Sequence, residues 1–566
     1  MADGRELKIT EISSICSTLE QILRPGFGPN GLGTMLTTST GHVMVANDSW
    51  TILNSLTLSH PVGRMITDSV KNHLKLYGDG GKAFILIMSK IFHELSLSEI
   101  TKDEQQDLIR SLNRLRDELP TVMKDLISEC TSLDLNSSEF TSVKEHCRRI
   151  IMIQLSGSFP SVISEHLCSI LLTLIFDGLT DVMCLLSVIL DAMNNFDICC
   201  IEAIGYPPTS SQVIEGCVIQ RTFQTIAPDL SSKSRIRFLL FSCSLDGDVQ
   251  DDRATYSVKN ESSLHAALVS KAKIIELVVQ RLIRDDIDLL ISSVNISRAV
   301  SLACHAANIS TIQMVDDEEM ARLSKLFGLI PINLLHEYLT DDHCPVGMVS
   351  GCDYVLINGH KFIHLIPNNS DVFVKQDKKN LLIMKHILVA GHSRGACCQI
   401  RTVFQNCLKH LHKWLTSDTQ QILDDKNQAL DEHQRKALLL TSCGTFELFL
   451  YFRINALFSS ADRANFIYAC KLISRALLQV PLALQNNSYH PVAKTLNVCH
   501  ILKEASGKNI AKLQINPRSG RLIVADYNNG AEPLVPKVIM LYNMLDLVVQ
   551  ILRLDKLVPV QLPSKS

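Results

Sequence analysis

Residues 76–90 read Leu-Tyr-Gly-Asp-Gly-Gly-Lys-Ala-Phe-Ile-Leu-Ile-Met-Ser-Lys, a glycine-rich turn that opens directly into an apolar segment of helical character. Its residue types sketch an anion site. Gly78, Gly80 and Gly81 let backbone approach a phosphate closely, the N–H groups of a first helical turn point at it, and Asp79 is placed to hold a divalent cation beside it. Lys82 strengthens the case, because a lysine in the first turn of a helix opposes the macrodipole by roughly a few tenths of a kcal/mol and a bound anion would compensate. Taken alone, the pentapeptide 78–82 is equally a solvated glycine loop, since short glycine motifs recur by chance.

Upstream of the turn, residues 62–76 read as a helix restarted by His60-Pro61, and 51–59 as a shorter one. Further out, Ile12, Ile15, Cys16, Leu19, Ile22 and Leu23 recur at steps of three and four, an amphipathic helix ended by Arg24-Pro25-Gly26. Phe27 to Gly33 is turn chemistry, and 34–38 with 43–46 read as two short strands that lead to Asn47-Asp48-Ser49. Downstream, 101–190 is helical in period, with few strand signals. From 198 the character changes to short β-rich runs, 213–223, 237–242, 287–294, 311–315 and 361–365, separated by helical or polar stretches such as 262–284. That alternation is the pattern of an α/β domain, and it ends near Pro367-Asn368-Asn369. Helices then dominate to the C-terminus, with the polar stretch 417–433 expected as an exposed insertion. An α/β part is thus inserted between two helical parts that must meet in space.

Composition narrows the function classes. The 566 residues are 46% apolar and 20% charged, which suits a globular chain of several domains. A formal charge of -3, 5% aromatics and no long Lys/Arg run argue against nucleic acid as a partner. The 18 cysteines contain no Cys-x-x-Cys pair, and the opening residues lack a signal peptide's apolar core, so free thiols in a reducing compartment are expected. The longest apolar runs, such as 437–452, are interrupted and fall short of a membrane span, so no membrane insertion is expected.

Four landmarks in order carry a resemblance. Gly28-Pro29-Asn30-Gly31-Leu32-Gly33-Thr34-Met35-Leu36, Asn47-Asp48-Ser49-Trp50-Thr51-Ile52-Leu53, His60-Pro61 and Gly78-Asp79-Gly80-Gly81-Lys82 resemble the equatorial domain of group II chaperonins, the cage-forming ATPases. Agreement continues at Val213-Ile214-Glu215-Gly216-Cys217-Val218, at 320–328, at Ser442-Cys443-Gly444-Thr445-Phe446-Glu447 and at 532–555, so it spans the chain. Segments 60–82, 213–216 and 362–365 are most similar to the divergent chaperonin-like proteins of the Bardet-Biedl group. The resemblance implies an α+β multidomain fold: a mostly helical equatorial domain (1–137 and 439–566), a small intermediate domain (138–197 and 368–438) and an inserted α/β apical domain (198–367) that binds substrates or partners.

It also implies an ATP site made of Gly28, Pro29, Asn47, Asp48, Gly78, Asp79, Gly80, Gly81, Lys82 and Gly444, with magnesium on Asp79. The departures bear on turnover. Thr34 stands where the family has a lysine, Ser49 where it has a glycine, and Gly81-Lys82 where it has two threonines. Asn406 stands where an aspartate activates the attacking water, and an amide cannot accept that proton. Asp48, like the family's other hydrolytic carboxylate, remains, so ATP binding is expected with hydrolysis weak or lost. The implied role is a cytoplasmic chaperone, extending to basal body and cilium, that works with cytosolic chaperonin subunits and related chaperonin-like proteins to assemble the BBSome, whose subunits are its clients.

Two rivals stand beside this. One keeps the chaperonin fold as a scaffold that uses no nucleotide. The other takes Gly391-His392-Ser393-Arg394-Gly395, after the apolar strand 383–390, as a hydrolase nucleophile elbow with His490 or His500 as base. The acidic stretches 246–252 and 316–319 lack EF-hand spacing and read as solvated loops rather than calcium sites.

Overall fold

The computed structural model describes residues 5–37, 43–98, 100–134, 140–179, 184–246, 260–340, 345–367, 373–377, 380–417, 436–459, 464–488, 513–524 and 530–557. It divides into two compact units, Met1–Leu172 with Thr180–Leu186 and Cys398–Ser566, and Thr173–Leu179 with Ser187–Cys397. The segments expected as an intermediate domain are shared between them, because the divisions at 172 and 397 fall inside the helices Ser161–Phe176 and Arg394–Thr416.

The first unit is built around the helix Gly81–Leu97, whose residues Ala83 to Ser89, Ile91, Phe92 and Leu95 are all buried. A helix apolar on nearly every side can only sit at the centre of a bundle. Helices Ile9–Leu23 and Ala464–Leu477 pack on it, and Lys102–Glu129 and Leu534–Leu552 complete the same core. The helix Lys102–Glu129 starts at a capping box in which Thr101 and Glu104 exchange bonds. Three distant segments join in one antiparallel sheet, Lys436–Thr441 lying between Thr131–Asp134 and Ala531–Pro533, with Leu439 opposite both Thr131 and Pro533. Hence the two helical parts do meet, as the insertion pattern requires. Thr34–Thr37 pairs with Val43–Ala46, and Arg5–Glu6 with Lys556–Leu557.

Strands after 369 are more numerous than the apolar periodicity suggests. The run 437–452 divides at Ser442-Cys443-Gly444, where φ of +65° at Cys443 and +86° at Gly444 ends the strand Lys436–Thr441 and starts the helix Thr445–Ser459. Two helical stretches, Ala464–Asn486 and Leu534–Leu552, prove long and apolar enough to cross a membrane, against the expectation from interrupted runs; most of each is buried within the protein. Core helices pass the same test of length and composition.

The second unit is α/β. Strands Ile236–Phe241, Leu289–Ser292 and Ser310–Ile312 are parallel, linked through the helices Glu261–Arg284 and Arg298–Ala306, and Gly347–Val349 and Phe223–Thr225 close the two edges antiparallel. The β-rich run 213–223 takes part in three strands. Gly216, at φ +100°, turns the chain where a Cβ would lie 2.4 Å from the Leu365 carbonyl oxygen. Gln212–Glu215, Cys217–Ile219 and Phe223–Thr225 therefore join three different sheets. A hairpin, Gly351–Ile357 with His360–Ile366, turns on Asn358-Gly359, both at positive φ as a type I′ turn demands. Among the described residues every cysteine is free, and most are buried. The polar stretch 418–433, the acidic residues 247–252 and both His490 and His500 lie outside the described residues.

Candidate functional site

Within the first unit, loops from widely separated segments converge on one cleft of about 180 Å³. Each loop is placed by the element beside it. Helix Ile9–Leu23 runs through a 3-10 turn, Arg24–Gly26, into Phe27-Gly28-Pro29, and Gly28 takes φ +85°. Asp48 begins the helix Ser49–Ser55 by accepting the Thr51 N–H on Oδ1 at 2.9 Å, so that helix starts two residues earlier than periodicity indicates. Gly78 ends the helix Pro61–Tyr77 in the left-handed conformation, its N–H bonded to the Leu74 carbonyl at 2.8 Å. Gly80, at φ +92°, starts the helix Gly81–Leu97 with no side chain capping its first N–H groups. Ile153, Gln154, Ser156 to Ser158, Val403, Asn406, Lys409, Glu532 and Lys537 are further parts of the walls.

Gly28, Pro29, Asn47, Asp48, Gly78, Asp79, Gly80, Lys82, Asn406 and Gly444 all line this cleft. Gly81 does not. Its role is packing: a Cβ there would lie 2.8 Å from Leu74 Cδ1 and 2.9 Å from Ser49 Cβ. The chaperonin pattern has glycine at the position of Ser49 and threonine at that of Gly81. In this chain the two have exchanged size across a contact, so one departure accommodates the other.

The electrostatics centre on Lys82. Its ammonium donates to the Gly26 carbonyl and, at 2.8 Å, to Asn47 Oδ1, while Asn47 Nδ2 donates to the Gly157 carbonyl. Burial lowers the Lys82 pKa to about 8, although Asp79 and Asp48 pull it upward. Burial opposes ionisation of Asp79, but His410 and Lys537, with donors from Gln154 and the Gly80 N–H, outweigh it and hold the carboxyl below its ordinary range. Gln154 Nε2 reaches Asp79 Oδ2 at 2.9 Å. Behind Asp79, Lys537 bridges Glu532 at 2.8 Å and Glu447 at 3.2 Å; burial disfavours its charge, yet the two carboxylates raise its pKa.

A polyphosphate fits this arrangement. The free helix N-terminus at Gly81–Ala83, the left-handed glycines 28, 78 and 80, and the cations Lys82 and Lys409 provide donors and positive charge. Among the described residues no three His, Cys, Asp or Glu side chains are grouped to hold a metal. Magnesium is commonly held by one carboxylate together with phosphate oxygens and water, so Asp79 would hold it with a bound polyphosphate, and the ion would then neutralise phosphate charge. Asn406 shares the cleft with both aspartates, and its backbone carbonyl would lie 3.2 Å from a Cβ at Gly78. It can donate and accept hydrogen bonds but takes no proton. Gln154, Lys409, Glu532 and Lys537 escaped the sequence reading; the cue nearest Gln154 is Leu155-Ser156-Gly157-Ser158, small residues after an apolar helix face.

The remaining sequence candidates resolve differently. Ser393 does stand between the strand Lys385–Gly391 and the helix Arg394–Thr416, but its Oγ accepts the Ala396 N–H at 3.3 Å as a helix cap. Among the described residues the sheet carrying that strand has three strands, Cys200–Ile204 and Gln212–Glu215 being the others. In the acidic stretch 316–319, Asp316 pairs with Arg221 at 2.7 Å and Glu319 accepts the Gln220 N–H at 3.2 Å.

Comparison with known proteins bears on the fold. The chain matches the TCP-1/cpn60 chaperonin family over residues 19–561. It is 22% identical over 473 residues to the BBSome complex assembly protein BBS10 of Homo sapiens, an alignment taking in 80% of this chain and 62% of that protein. The Mus musculus protein of the same name is 22% identical over 443 residues, with 74% and 60% covered. T-complex protein 1 subunit theta of Gallus gallus is 20% identical over 523 residues, with 90% and 83% covered. The chain thus spans about three fifths of the length of the BBS10 relatives it matches.

Proposed function

Given that the chain belongs to the TCP-1/cpn60 chaperonin family, we propose that it is a chaperonin-like chaperone that holds ATP in the cleft, hydrolyses it weakly or not at all, and assists assembly of the BBSome. The observation that carries the nucleotide part is the convergence of Gly28, Asp48, Asp79, Lys82 and Gly444 on one cleft beside an uncapped helix N-terminus. A concave cleft on which a few polar and charged groups converge is where a ligand is expected to bind. Asn406 in the same cleft supports weak turnover, since loss of a positioned base typically costs about two to four orders of magnitude in rate. The BBSome part is supported by the similarity to the BBSome complex assembly protein BBS10. On this proposal the partners are cytosolic chaperonin subunits and related chaperonin-like proteins, the clients are BBSome subunits, and the protein works in the cytoplasm and at the ciliary base.

The test is thermal stability with and without ATP and magnesium. A ligand that binds only the folded state at about 100 times its dissociation constant adds about 2.7 kcal/mol. The melting temperature is expected to rise with ATP and to rise less in Lys82→Met, whose fold is checked by circular dichroism. An unmoved melting curve for the unaltered chain at millimolar ATP would remove the nucleotide part. It would favour a chaperonin-fold scaffold without nucleotide, to which one observation lends weight: Lys82 already bonds protein oxygens inside the cleft. For the partners, co-purification from ciliated cells should recover chaperonin and BBSome subunits; their absence would refute that part.

A further inference from the structure

The Lys82 ammonium occupies an unusual place for a side-chain cation. It stands in the first turn of the helix Gly81–Leu97, where the macrodipole already favours negative charge, and no side chain caps that end. Rather than leaving for solvent, it folds back into the cleft, where it meets two protein carbonyl oxygens, that of Gly26 and Oδ1 of Asn47. Asp79 and Asp48 both attract it through space. Two oxygens in contact with two carboxylates nearby is the environment a bound cation would have. An ammonium carries three donors, and among the described residues two are used, which leaves one for an acceptor entering the cleft.

The carboxylates are meanwhile engaged by protein donors. Asp48 Oδ1 caps the helix Ser49–Ser55 through the Thr51 N–H, and Asp79 Oδ2 accepts from Gln154. Of the other cations in the wall, Lys537 is committed to Glu447 and Glu532, and Lys409 is only half-buried. Magnesium requires near-ideal octahedral oxygen geometry and gives up its water reluctantly, whereas an ammonium on a flexible stem needs neither. Lys82 is therefore the cation of this cleft that the fold supplies already in place.

We infer that Lys82 is a tethered counter-ion for the polyphosphate of the nucleotide, positioned by Gly26 and Asn47, so that this chain binds ATP without a divalent metal. The inference rests on the nucleotide reading of the cleft and adds its charge requirement. Lys82 contributes one charge where a magnesium ion would contribute two. Metal-free binding then depends on that charge, and magnesium adds little while Lys82 is present.

Isothermal titration calorimetry of the full-length chain with ATP, in excess EDTA and in magnesium, tests this, with Lys82→Met and Lys82→Arg beside the unaltered protein. For the unaltered protein, removing magnesium should change the dissociation constant by less than about threefold. Lys82→Met, which keeps the length and loses the charge, should lose about tenfold or more in EDTA, and magnesium should restore part of that loss. Lys82→Arg should bind in EDTA within a few-fold of the unaltered protein. Circular dichroism and the unfolding midpoint establish that each variant is folded. If Lys82→Met fails to fold, the EDTA comparison on the unaltered protein and Lys82→Arg still decides. Loss of tenfold or more in EDTA by the unaltered protein overturns the counter-ion while leaving ATP binding intact. Absence of binding in both conditions overturns ATP binding itself, and the counter-ion with it.

Discussion

Replacing Gly81 by alanine tests whether the altered turn is a repacked site or a merely degraded one. The new Cβ would stand 2.8 and 3.1 Å from the two methyls of Leu74 and 2.9 Å from Ser49 Cβ. Leu74 is a side-chain end that can shift, although it is buried in the core; Ser49 Cβ is fixed to its own helix and cannot turn away. Overpacking of this kind typically costs about 1–3 kcal/mol. Alanine in place of glycine at a helical residue with ordinary φ returns about 0.5–1 kcal/mol. Taking the middle of each range, the net expectation for Gly81→Ala is a loss of about 1 kcal/mol. Ser49→Gly removes one of the clashing atoms and leaves Leu74, so the double variant should recover roughly 0.5–1 kcal/mol relative to the sum of the single changes. Denaturant unfolding of the full-length chain followed by tryptophan fluorescence reads this directly, because both tryptophans, Trp50 and Trp414, lie in the first unit. A neutral or stabilising Gly81→Ala, or strict additivity of the pair, would refute the exchange of size between positions 49 and 81.

Three further outcomes are expected. Gly216→Ala forces a side chain into φ +100° and against the Leu365 carbonyl oxygen, so the second unit should lose about 3 kcal/mol or more and be cleaved first in limited proteolysis. Asp48→Ala should cost about 1 kcal/mol through loss of the helix cap, and Asp48→Ser should restore it, as the unfolding midpoint will report. Burial, and next the nearby Arg322, lower the His386 pKa to about 3 from an ordinary 6.5. The folded state therefore binds this proton less well than the unfolded chain, so the contribution to stability is complete above pH 6.5 and is lost as pH falls toward 3, by about 1.4 kcal/mol per pH unit. His386→Gln should flatten the acid limb of the stability curve relative to the unaltered protein.

Much of the first unit was legible because its signals are local. Periodicity marked the helices Ile9–Leu23 and Pro61–Tyr77, and the glycines at 78 and 80 announced the turn that their left-handed backbone makes. The second unit was legible as a class but not strand by strand. Residues 213–223 are uniformly β-prone, and only the long-range approach of the Leu365 carbonyl to Gly216 shows that they part into three sheets. Asn358-Gly359 was a local hairpin signal available to the sequence and passed over. In the cleft, every expected ligand-side residue except Gly81 reached the wall, yet the partners that set their charge did not show. Gln154 and Lys537 owe their roles to tertiary contacts with Asp79 and Glu532, and nothing in the residues flanking them encodes that. The exchange between Ser49 and Gly81 likewise became visible only as a distance.

The central claim is that the cleft holds ATP without turning it over efficiently, and single-turnover release of phosphate from γ-labelled ATP, with enzyme in excess, tests it most directly. The unaltered chain and Asn406→Asp should bind ATP to similar extents, while restoration of a proton acceptor should raise hydrolysis by about a hundredfold or more. Equal hydrolysis rates in the two proteins, with ATP bound to both, would contradict the account.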